Sequence, residues 1–318
     1  MTSGSVAELA ERIRSGQPAA IARGITWCER GGNRAEELLH ELEAVRPHLI
    51  GITGSPGAGK STLVNALVRS YRSTDTRIGV VAVDPTSPLT GGALLGDRVR
   101  LDHEGADGGL FFRSLATRGA AGGLSDAARG AARVLATGGF DPVLIETVGA
   151  GQAEVEIMRV ADTVLVVLNP GAGDEMQALK AGIMEIADAF VLNKGDQPGI
   201  GELKSHVAAM LHLRDPGDWT PPMVVTVASE HKGIDELRSV IDRHWAFLAG
   251  GLGAERGASS RRAEALRLAR ARLEEAMGVA AEAVFPDLDR GELSEPEAAR
   301  RIVEGALRTV RAGHDRVR

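Results

Sequence analysis

A short glycine-rich segment near the start of the chain carries the residue types that bind phosphate. Its pattern is Gly54-x-x-x-x-Gly59-Lys60-Ser61, with an apolar run before it and helical spacing after it. Glycine lets the backbone turn its N–H groups inward, and the helix start adds the positive end of a dipole. The pattern predicts a phosphate-binding loop in which Lys60 bridges the outer phosphates and Ser61 supplies an oxygen to Mg²⁺. The alternative is an ordinary glycine-rich connection between a strand and a helix. The other loop residues expected to line the nucleotide are Ser55, Pro56, Gly57, Ala58 and Thr62.

A second segment, Asn193-Lys194-Gly195-Asp196, follows another apolar run more than a hundred residues downstream. Beside a phosphate-binding loop it favours guanine, because Asp196 would accept from the ring N–H and the exocyclic amine, which adenine does not offer together. We expect Asn193 to reach the far side of the base and the stem of Lys194 to cover its face. A wrong base would leave buried polar groups unpaired, which favours GTP over ATP. The alternative is that Asp196 caps a helix and the other two are turn residues.

Three acidic residues stand at strand ends or in loops of the same region. Asp84 and Glu146 end apolar runs, and Asp97 lies in a loop between them. Mg²⁺ prefers hard oxygen ligands, and parallel strands bring their carboxyl ends to one edge, so we expect these acids to serve a magnesium site. Gly149 follows Glu146 closely and could swing its N–H onto the γ-phosphate, which predicts a switch over 147–152. Each acid taken singly could also be a capped turn or a solvated carboxylate.

Length and composition are those of an ordinary globular chain. The 318 residues are 43% hydrophobic and 25% charged, with a net charge of −6. The negative charge argues against nucleic acid and anionic membranes as partners, and the 3% aromatic content argues against stacking on single strands. A single cysteine, Cys28, excludes an internal disulfide and fits a reducing compartment. With no signal-peptide core and no apolar run of roughly 20 residues, we expect a cytoplasmic protein.

Apolar runs alternate with helix-like stretches through the middle of the chain. We expect strands at 49–53, 78–83, 143–146, 163–168, 189–192 and 223–227. Helices are expected between them at 61–72, 125–137, 153–160 and 174–187. The alternation predicts an α/β fold of the P-loop NTPase type, with a mostly parallel sheet covered by helices on both faces.

Helices without strands are expected at both ends of the chain. The N-terminal ones are predicted at 5–15, 18–29 and 33–46, the first with a capping box from Ser5 to Glu8. A linker is expected at 249–260, followed by a helix at 261–279 and another capped at Ser294. Neither C-terminal helix can bury its apolar stripe alone, so each must pack on the central domain or on a second copy. The predicted organisation is a helical segment at 1–46, a P-loop domain at 47–250 and a helical segment at 251–318.

Several sequence blocks resemble one family in the same order along nearly the whole chain. The chain is similar to the methylmalonyl-CoA mutase-associated GTPases, which are G-protein chaperones of adenosylcobalamin-dependent mutases. Members of that family were formerly described as transport ATPases or kinases. The blocks that carry the resemblance are "GSPGAGKST", "VDPTSPLTGGALLGDRVRL", "FFRSLATRGAAGGLS", "ETVGAGQAEVEI", "PGAGDEMQALKAGIMEIAD", "NKGD" and "WTPPMVVTVASEHKGIDEL".

The resemblance implies roles for further residues. Ala228 and Ser229 are expected near the base, and an additional switch facing the mutase is expected at Asp174, Gln177 and Lys180. It also implies a homodimer and contact with cobalamin only through the partner mutase. The 251–318 segment is the expected dimerisation segment, and the N-terminal helices are the alternative. The chain departs from the family's base motif at Gly195, where alanine is common, and we expect guanine recognition to survive this.

The mechanism that follows is a GTP-hydrolysing switch around bound Mg²⁺, with Lys60, Asp97, Glu146 and Gly149 as the residues expected to act in hydrolysis. Arginine fingers could come from Arg98, Arg113 or Arg118, although surface pairing is the expected role of each. Two other functions stay open. A kinase or ATPase would need an acceptor pocket and a catalytic base, and a metal-insertion GTPase would need Cys and His ligands at metal-binding spacing; neither is recognisable in the sequence.

Overall fold

Seven parallel strands form the centre of this computed structural model. The structure describes residues 5–42, 45, 47–84, 108–116, 123–147, 160–171, 186–212 and 218–315. The strands are β1 (Leu49–Gly54), β2 (Ile78–Asp84), β3 (Leu110–Ala116), β4 (Val143–Thr147), β5 (Thr163–Leu168), β6 (Ala189–Leu192) and β7 (Met223–Val225). Their spatial order is β3-β2-β4-β1-β5-β6-β7, and every neighbouring pair is parallel. The predicted α/β fold with a parallel sheet is confirmed. Strand β3 was not among the predicted strands.

Helices cover both faces of this sheet. In the described ranges they are α1 (Val6–Arg14), α2 (Pro18–Arg30), α3 (Asn33–Glu41), α4 (Lys60–Arg72), α5 (Gly123–Thr137), α6 (Ile200–His212), α7 (Ile234–Ala249), α8 (Gly251–Asp289) and α9 (Glu295–Asp315). One buried apolar cluster joins α4 and α7 to the sheet face that carries Ile50 and Ile52. The other joins α5 and α6 to the opposite face. Alternate residues of each strand enter opposite clusters, as the pleat requires.

The three N-terminal helices share the second of these clusters. Ile13, Ile25 and Leu38 are fully buried there together with Val134 of α5. The Ser5 hydroxyl accepts from the Glu8 N–H at 3.2 Å, which confirms the predicted cap of α1. Polar contacts add to the packing, because Arg133 donates to the Leu42 carbonyl at 2.5 Å. The helices are thus part of the same core as the sheet, and the chain divides into two compact units, Met1–Gly250 and Gly251–Arg318.

Aspartates at the amino ends of the strands tie neighbouring strands together. Asp141 accepts from the His48 N–H at 2.9 Å, and Asp162 accepts from the Leu49 N–H at 3.0 Å. Asp188 does the same for the Val164 N–H at 2.8 Å. The first N–H groups of a strand lack an upstream partner, so these carboxylates satisfy buried donors and hold the strand starts in register. Burial raises the pKa of Asp141, and the His48 N–H opposes that rise.

The second unit is an α8–α9 hairpin. Its helices approach closely where small residues face each other, since a Cβ added at Gly305 would lie 2.9 Å from the Ala280 Cβ. Ala276, Ala298 and Ala306 are buried. The prediction of a linker at 249–260 is wrong from Gly251 onward, because α8 begins at that residue. Alanine, glutamate and arginine in that stretch are strong helix formers and outweigh its glycines.

Across the part of the chain that the structure describes, no helix combines the length and the apolar character that a membrane crossing requires.

The shared core leads to a prediction for Ile25→Ala. Because Ile25 of α2 is fully buried in the cluster that the N-terminal helices share with the sheet, we expect the free energy of unfolding of Ile25→Ala to fall by about 2–5 kcal/mol, measured by urea titration. Val45→Ala, at an exposed position, is the control and should change it little. Burial raises the pKa of the nearby Cys28 thiol to about 12, so alkylation of that thiol should report the same transition. Fast alkylation of the native wild-type chain would contradict this account of the core.

Candidate nucleotide-binding site

The predicted nucleotide residues gather at the carboxyl edge of the sheet. β1 ends at Gly54, β4 ends one residue after Glu146, and β6 ends just before Asn193. The register places Glu146 opposite Ile52 of β1 and Ala82 of β2. Asp84 is the last residue of β2 and so reaches the same edge. Ligands bind at this edge of open parallel sheets.

Two glycines of the 54–61 loop are required by close approaches. Gly54 has φ 145°, and a Cβ there would lie 2.1 Å from the Val167 carbonyl oxygen of the neighbouring strand. Gly59 has φ 93°, and a Cβ there would lie 2.4 Å from the Asn193 Nδ2. Any larger residue would push the loop away from β5 or from Asn193. The loop therefore depends on glycine for its position as well as for its turn.

Lys60 lies at the first position of α4 and is buried. Its ammonium donates to the Gly54 carbonyl at 2.5 Å and to the Ser55 carbonyl at 3.1 Å. A buried cation needs such partners because desolvation is costly. The lysine thus spans the mouth of the loop, where it is available to an anion that enters between the same backbone groups.

Ser61 and Glu146 meet directly. The Ser61 hydroxyl donates to Glu146 Oε1 at 2.5 Å, and Glu146 is buried at the end of β4. The two residues are 85 positions apart in the sequence, and the fold brings these two predicted magnesium ligands into contact. A hydroxyl and a carboxylate are hard oxygen donors of the kind that Mg²⁺ prefers.

Asn193 joins three segments through one side-chain amide. Its Nδ2 donates to the Ala58 carbonyl at 2.9 Å. Its Oδ1 accepts from the Thr226 hydroxyl at 3.0 Å and from the Ala228 N–H at 3.2 Å. The residue is only 3% exposed, so these bonds form away from water. Asn193 therefore connects the phosphate loop, the end of β6 and the segment after β7, and its contact with the base stays a prediction.

The turn after Asn193 presents Asp196 to solvent. Lys194 has φ 57°, and the Gly195 N–H donates to the Thr226 carbonyl at 2.9 Å. Asp196 is exposed, as a carboxylate that receives a ligand must be. A Cβ at Gly195 would lie 2.5 Å from the Val225 Cγ1. The departure from the family's alanine at this position therefore fits the local packing, because the Val225 side chain occupies that space.

The 226–232 loop closes on itself beside this turn. The Val227 N–H donates to the Lys232 carbonyl at 3.1 Å, with a 3₁₀ turn over Ala228–Glu230 between them. Ala228 is buried and Ser229 is exposed. Lys232 pairs with Glu230 at 2.6 Å, and the hydrogen bond that its ammonium donates to the Glu230 carboxylate raises the pKa of Lys232. The loop is thereby held as one piece against Asn193.

Arg113, one of the three arginines considered as a finger, is engaged elsewhere. It lies on β3 and donates to the Thr26 hydroxyl at 3.0 Å and to Glu29 at 3.4 Å, both on α2. This is the pairing role expected for it. Unlike Arg113, seven predicted site residues lie outside the described ranges. They are Asp97, Arg98, Arg118, Gly149, Asp174, Gln177 and Lys180.

Thr226 is a site residue that the sequence did not predict, although it lies within the segment "WTPPMVVTVASEHKGIDEL". Its hydroxyl is buried and bonds Asn193, so it positions the amide that holds the phosphate loop. The available signal was a polar residue directly after the apolar run of β7 and two positions before Ala228, the first of the two residues expected near the base.

Comparison with known proteins identifies the chain. The family model described as "Methylmalonyl Co-A mutase-associated GTPase MeaB" matches residues 21–282. The chain belongs to this MeaB family. GTPase ArgK of Escherichia coli strain K12 is 35% identical over 263 residues, which cover 78% of each chain. A protein of Pyrococcus abyssi is 47% identical over 248 residues, which cover 76% of each chain.

Two further relatives extend the comparison. The crystal structure of a LAO/AO transport system kinase has a TM-score of 0.66 and 25% identity, and the match covers 96% of this chain and 98% of that one. The fused isobutyryl-CoA mutase of Geobacillus kaustophilus is 40% identical over 209 residues, or 62% of this chain and 19% of the fused protein. Family and fold agree, so this MeaB-family protein is a P-loop GTPase that binds guanine nucleotide and hydrolyses GTP to GDP and phosphate.

The Asn193 contacts lead to a prediction for Asn193→Ala. Three buried hydrogen bonds are lost at once, so we expect the free energy of unfolding to fall by about 2–4 kcal/mol and GDP affinity to fall more than tenfold, measured by calorimetry. Thr226→Val removes one of the three bonds and should give a smaller loss in both measurements. Unchanged GDP affinity in a folded Asn193→Ala variant would contradict this role.

Proposed function

We propose that this GTPase is a nucleotide-dependent chaperone of an adenosylcobalamin-dependent acyl-CoA mutase of the methylmalonyl-CoA mutase type. It gates the loading of the cofactor onto that mutase and its protection there. The observation that carries the proposal is the Geobacillus fused isobutyryl-CoA mutase, where a segment similar to much of this chain is part of one polypeptide with a mutase. Fusion holds two partners at high effective concentration, which favours an association that separate chains make by binding. The family's own description also names a mutase.

Each residue of the site has a proposed role toward the nucleotide. The loop from Gly54 to Thr62 holds the phosphates, with Lys60 on the outer ones. Asp196 reads the guanine edge, and Asn193 and Lys194 border the base. Ala228 and Ser229 approach it from the loop after β7. The measured contacts support this arrangement because Asn193 connects these three segments directly.

Ser61 and Glu146 fit Mg²⁺ and would hold it, with Asp84 on the adjoining strand end and Asp97 from the following loop. Bound Mg²⁺ would neutralise charge on the outer phosphates. The Ser61 hydroxyl donates to the Glu146 carboxylate, and its oxygen keeps lone pairs for a cation, so this contact would hold both groups beside Mg²⁺. Glu146 lies three residues before Gly149, so a change at the metal would have a short path to the proposed switch over 147–152.

The partner would read the state of the switch segments. We propose that Gly149 and the region of Asp174, Gln177 and Lys180 take one arrangement with GTP and another with GDP. Cobalamin would be contacted only through the mutase. A cytoplasmic setting is proposed as well, and the buried free thiol of Cys28 is compatible with it.

A second copy of the chain is the proposed partner of the hairpin α8–α9. Both helices expose apolar side chains at helical spacing: Leu266, Leu273 and Met277 on α8, and Val303, Leu307 and Val310 on α9 are 39–61% exposed. The hairpin's own contact uses small residues and leaves these larger ones uncovered. Patches of this kind mark interfaces, so the 251–318 segment is proposed as the dimerisation segment.

Dimerisation is tested by Leu273→Glu combined with Met277→Glu. Two charges on the exposed stripe should convert the dimer into a monomer that still binds GDP, since both residues lie outside the nucleotide unit. Light scattering after gel filtration measures the mass. Glu274→Gln on the same helix should leave the dimer intact. A monomeric wild-type chain at every concentration would refute the proposal.

The chaperone function is tested by GTP turnover with and without a cognate mutase. Among the described residues Arg113 is paired with α2 and no arginine is assigned as a finger, so we expect slow basal turnover, roughly 10⁻³ per second, which the mutase should raise. Phosphate release is measured against mutase concentration, with Lys60→Ala as the inactive control. Saturated binding without any change in turnover would contradict the proposal. Label from γ-labelled GTP on an added acceptor, rather than in free phosphate, would favour the kinase alternative.

A further inference from the structure

A buried polar cluster lies at the amino edge of the sheet, opposite the nucleotide site. The Thr163 hydroxyl at the start of β5 lies 2.7 Å from His48 Nε2 and 2.8 Å from His244 Nδ1. The three residues are 0%, 5% and 1% exposed, respectively. Two imidazoles and a hydroxyl buried together in this way have no part in phosphate or base binding.

Asp188 and two tryptophans complete the cluster. His244 Nε2 lies 3.3 Å from Asp188 Oδ1, although its alignment falls short of a formed hydrogen bond. The Asp188 carbonyl accepts from Trp219 Nε1 at 2.8 Å. The Trp219 ring packs on His244 with centroids 4.7 Å apart, and Trp245 stacks on His48 at 4.2 Å. The rings exclude water, which strengthens the polar contacts inside.

The single hydrogen of the Thr163 hydroxyl limits how the hydrogen bonds of the cluster can be directed. The Thr163 hydroxyl has one hydrogen, so it donates to one imidazole and accepts from the other. If it donates to His244 Nδ1, then His48 Nε2–H donates to Thr163 and His244 Nε2–H faces Asp188. In this arrangement a hydrogen faces the Thr163 oxygen, His244 Nδ1 and the Asp188 carboxylate, whereas the reverse arrangement turns a bare nitrogen toward the carboxylate. Directed hydrogen bonds thus link His48, Thr163 and His244, and the other edge of the His244 ring lies against Asp188.

The residues at the two ends of this cluster, His48 and Asp188, each precede a strand that leads to the proposed nucleotide site. His48 directly precedes β1, which leads to the phosphate loop at Gly54. Asp188 directly precedes β6, which leads to the turn over 193–196, which we call the guanine turn after its proposed role. His244 lies near the end of α7, which begins immediately after the 226–232 loop. Three separate parts of the nucleotide site therefore run back to one buried cluster.

We propose that the His48–Thr163–His244–Asp188 cluster is a positioning device that sets the spacing between the phosphate loop and the guanine turn. A ligand that bridges two subsites needs them placed within about 0.5 Å. β6 pairs over only four residues with β5 and over three with β7, so these backbone hydrogen bonds alone allow small tilts of β6. The cluster adds side-chain ties among β1, β5, β6 and α7. The inference rests on the guanine-reading role of Asp196 proposed above.

Thr163→Val tests the inference, because it keeps the side-chain shape and removes the hydroxyl that joins the two histidines. Affinities for GDP and IDP are measured by calorimetry on the full chain. IDP lacks the 2-amino group that Asp196 would bind, so the ratio of the two affinities reports how well the guanine turn is placed. We expect that ratio to fall at least about fivefold, the worth of one hydrogen bond. A general loss of stability would weaken both ligands equally and leave the ratio unchanged.

Controls separate this inference from the function on which it rests. Thr137→Val changes a threonine of α5 whose hydroxyl donates within its own helix, and it should keep the wild-type ratio. Asp196→Asn should abolish the discrimination directly. A wild-type chain that binds GDP and IDP equally overturns the role of Asp196 and this inference with it. A discriminating wild-type chain with an unchanged ratio in Thr163→Val overturns the positioning inference alone.

A second variant keeps the test available if Thr163→Val does not fold. His48→Phe preserves a ring to stack on Trp245 and removes the nitrogen that bonds Thr163. The expected result is again a lower ratio of GDP to IDP affinity, and a wild-type ratio would overturn the inference. His244→Gln has an amide that can donate toward Asp188. Its ratio of GDP to IDP affinity should therefore stay closer to the wild-type value than that of His244→Phe. Equal ratios in those two variants would count against a role for the Asp188 contact.

Discussion

The side-chain amide of Asn193 is the contact on which the nucleotide site depends. It is buried, and it holds the Ala58 carbonyl on one side and the Thr226 hydroxyl and Ala228 N–H on the other. Without it, the phosphate loop would lose its bond to the turn after β6, while that turn would keep its backbone bond from the Gly195 N–H to the Thr226 carbonyl. Gly59 is part of the same constraint, because a side chain there would collide with the Asn193 amide. In the proposed site the guanine nucleotide contacts both the loop after β1 and the turn after β6, and the direct bond between the two would hold them at a fixed spacing.

The two edges of the sheet have different tasks. At the carboxyl edge, Lys60, Ser61 and Glu146 bond to protein groups in positions that phosphate and Mg²⁺ would claim. At the amino edge, Asp141 and Asp188 cap the starts of neighbouring strands, and the histidine cluster extends that capping to α7. Short strands transmit position well when both ends are held. The proposed switch lies at the carboxyl edge, and the contacts at the amino edge hold the strand starts in place.

The errors in the sequence-based predictions have physical causes. β3 was overlooked because Arg113 and Ser114 interrupt its aromatic and aliphatic residues, as suits an edge strand that packs against α2 rather than a central one. The linker at 249–260 was predicted from glycine, but glycine lowers helix stability by only about 1 kcal/mol per residue and the neighbouring alanines and arginines continue the helix. Thr226 was not recognised because its local signal, a polar residue after an apolar run, does not show which side chain it contacts. Its partner is 33 positions away.

By itself, the sequence determined the elements and the motifs: the parallel α/β order, the glycine loop before α4, the Asn193–Asp196 turn and the membership of one GTPase family. These follow from local spacing, because apolar periodicity and loop glycines act within a few residues of themselves. Only the tertiary structure decided which side chains meet. Ser61 finds Glu146 across 85 positions, and Asn193 finds Ala58 across 135. The joining of His48, Thr163, His244 and Asp188 is of the same kind, since no local pattern encodes contacts that arise when separate strands pack side by side.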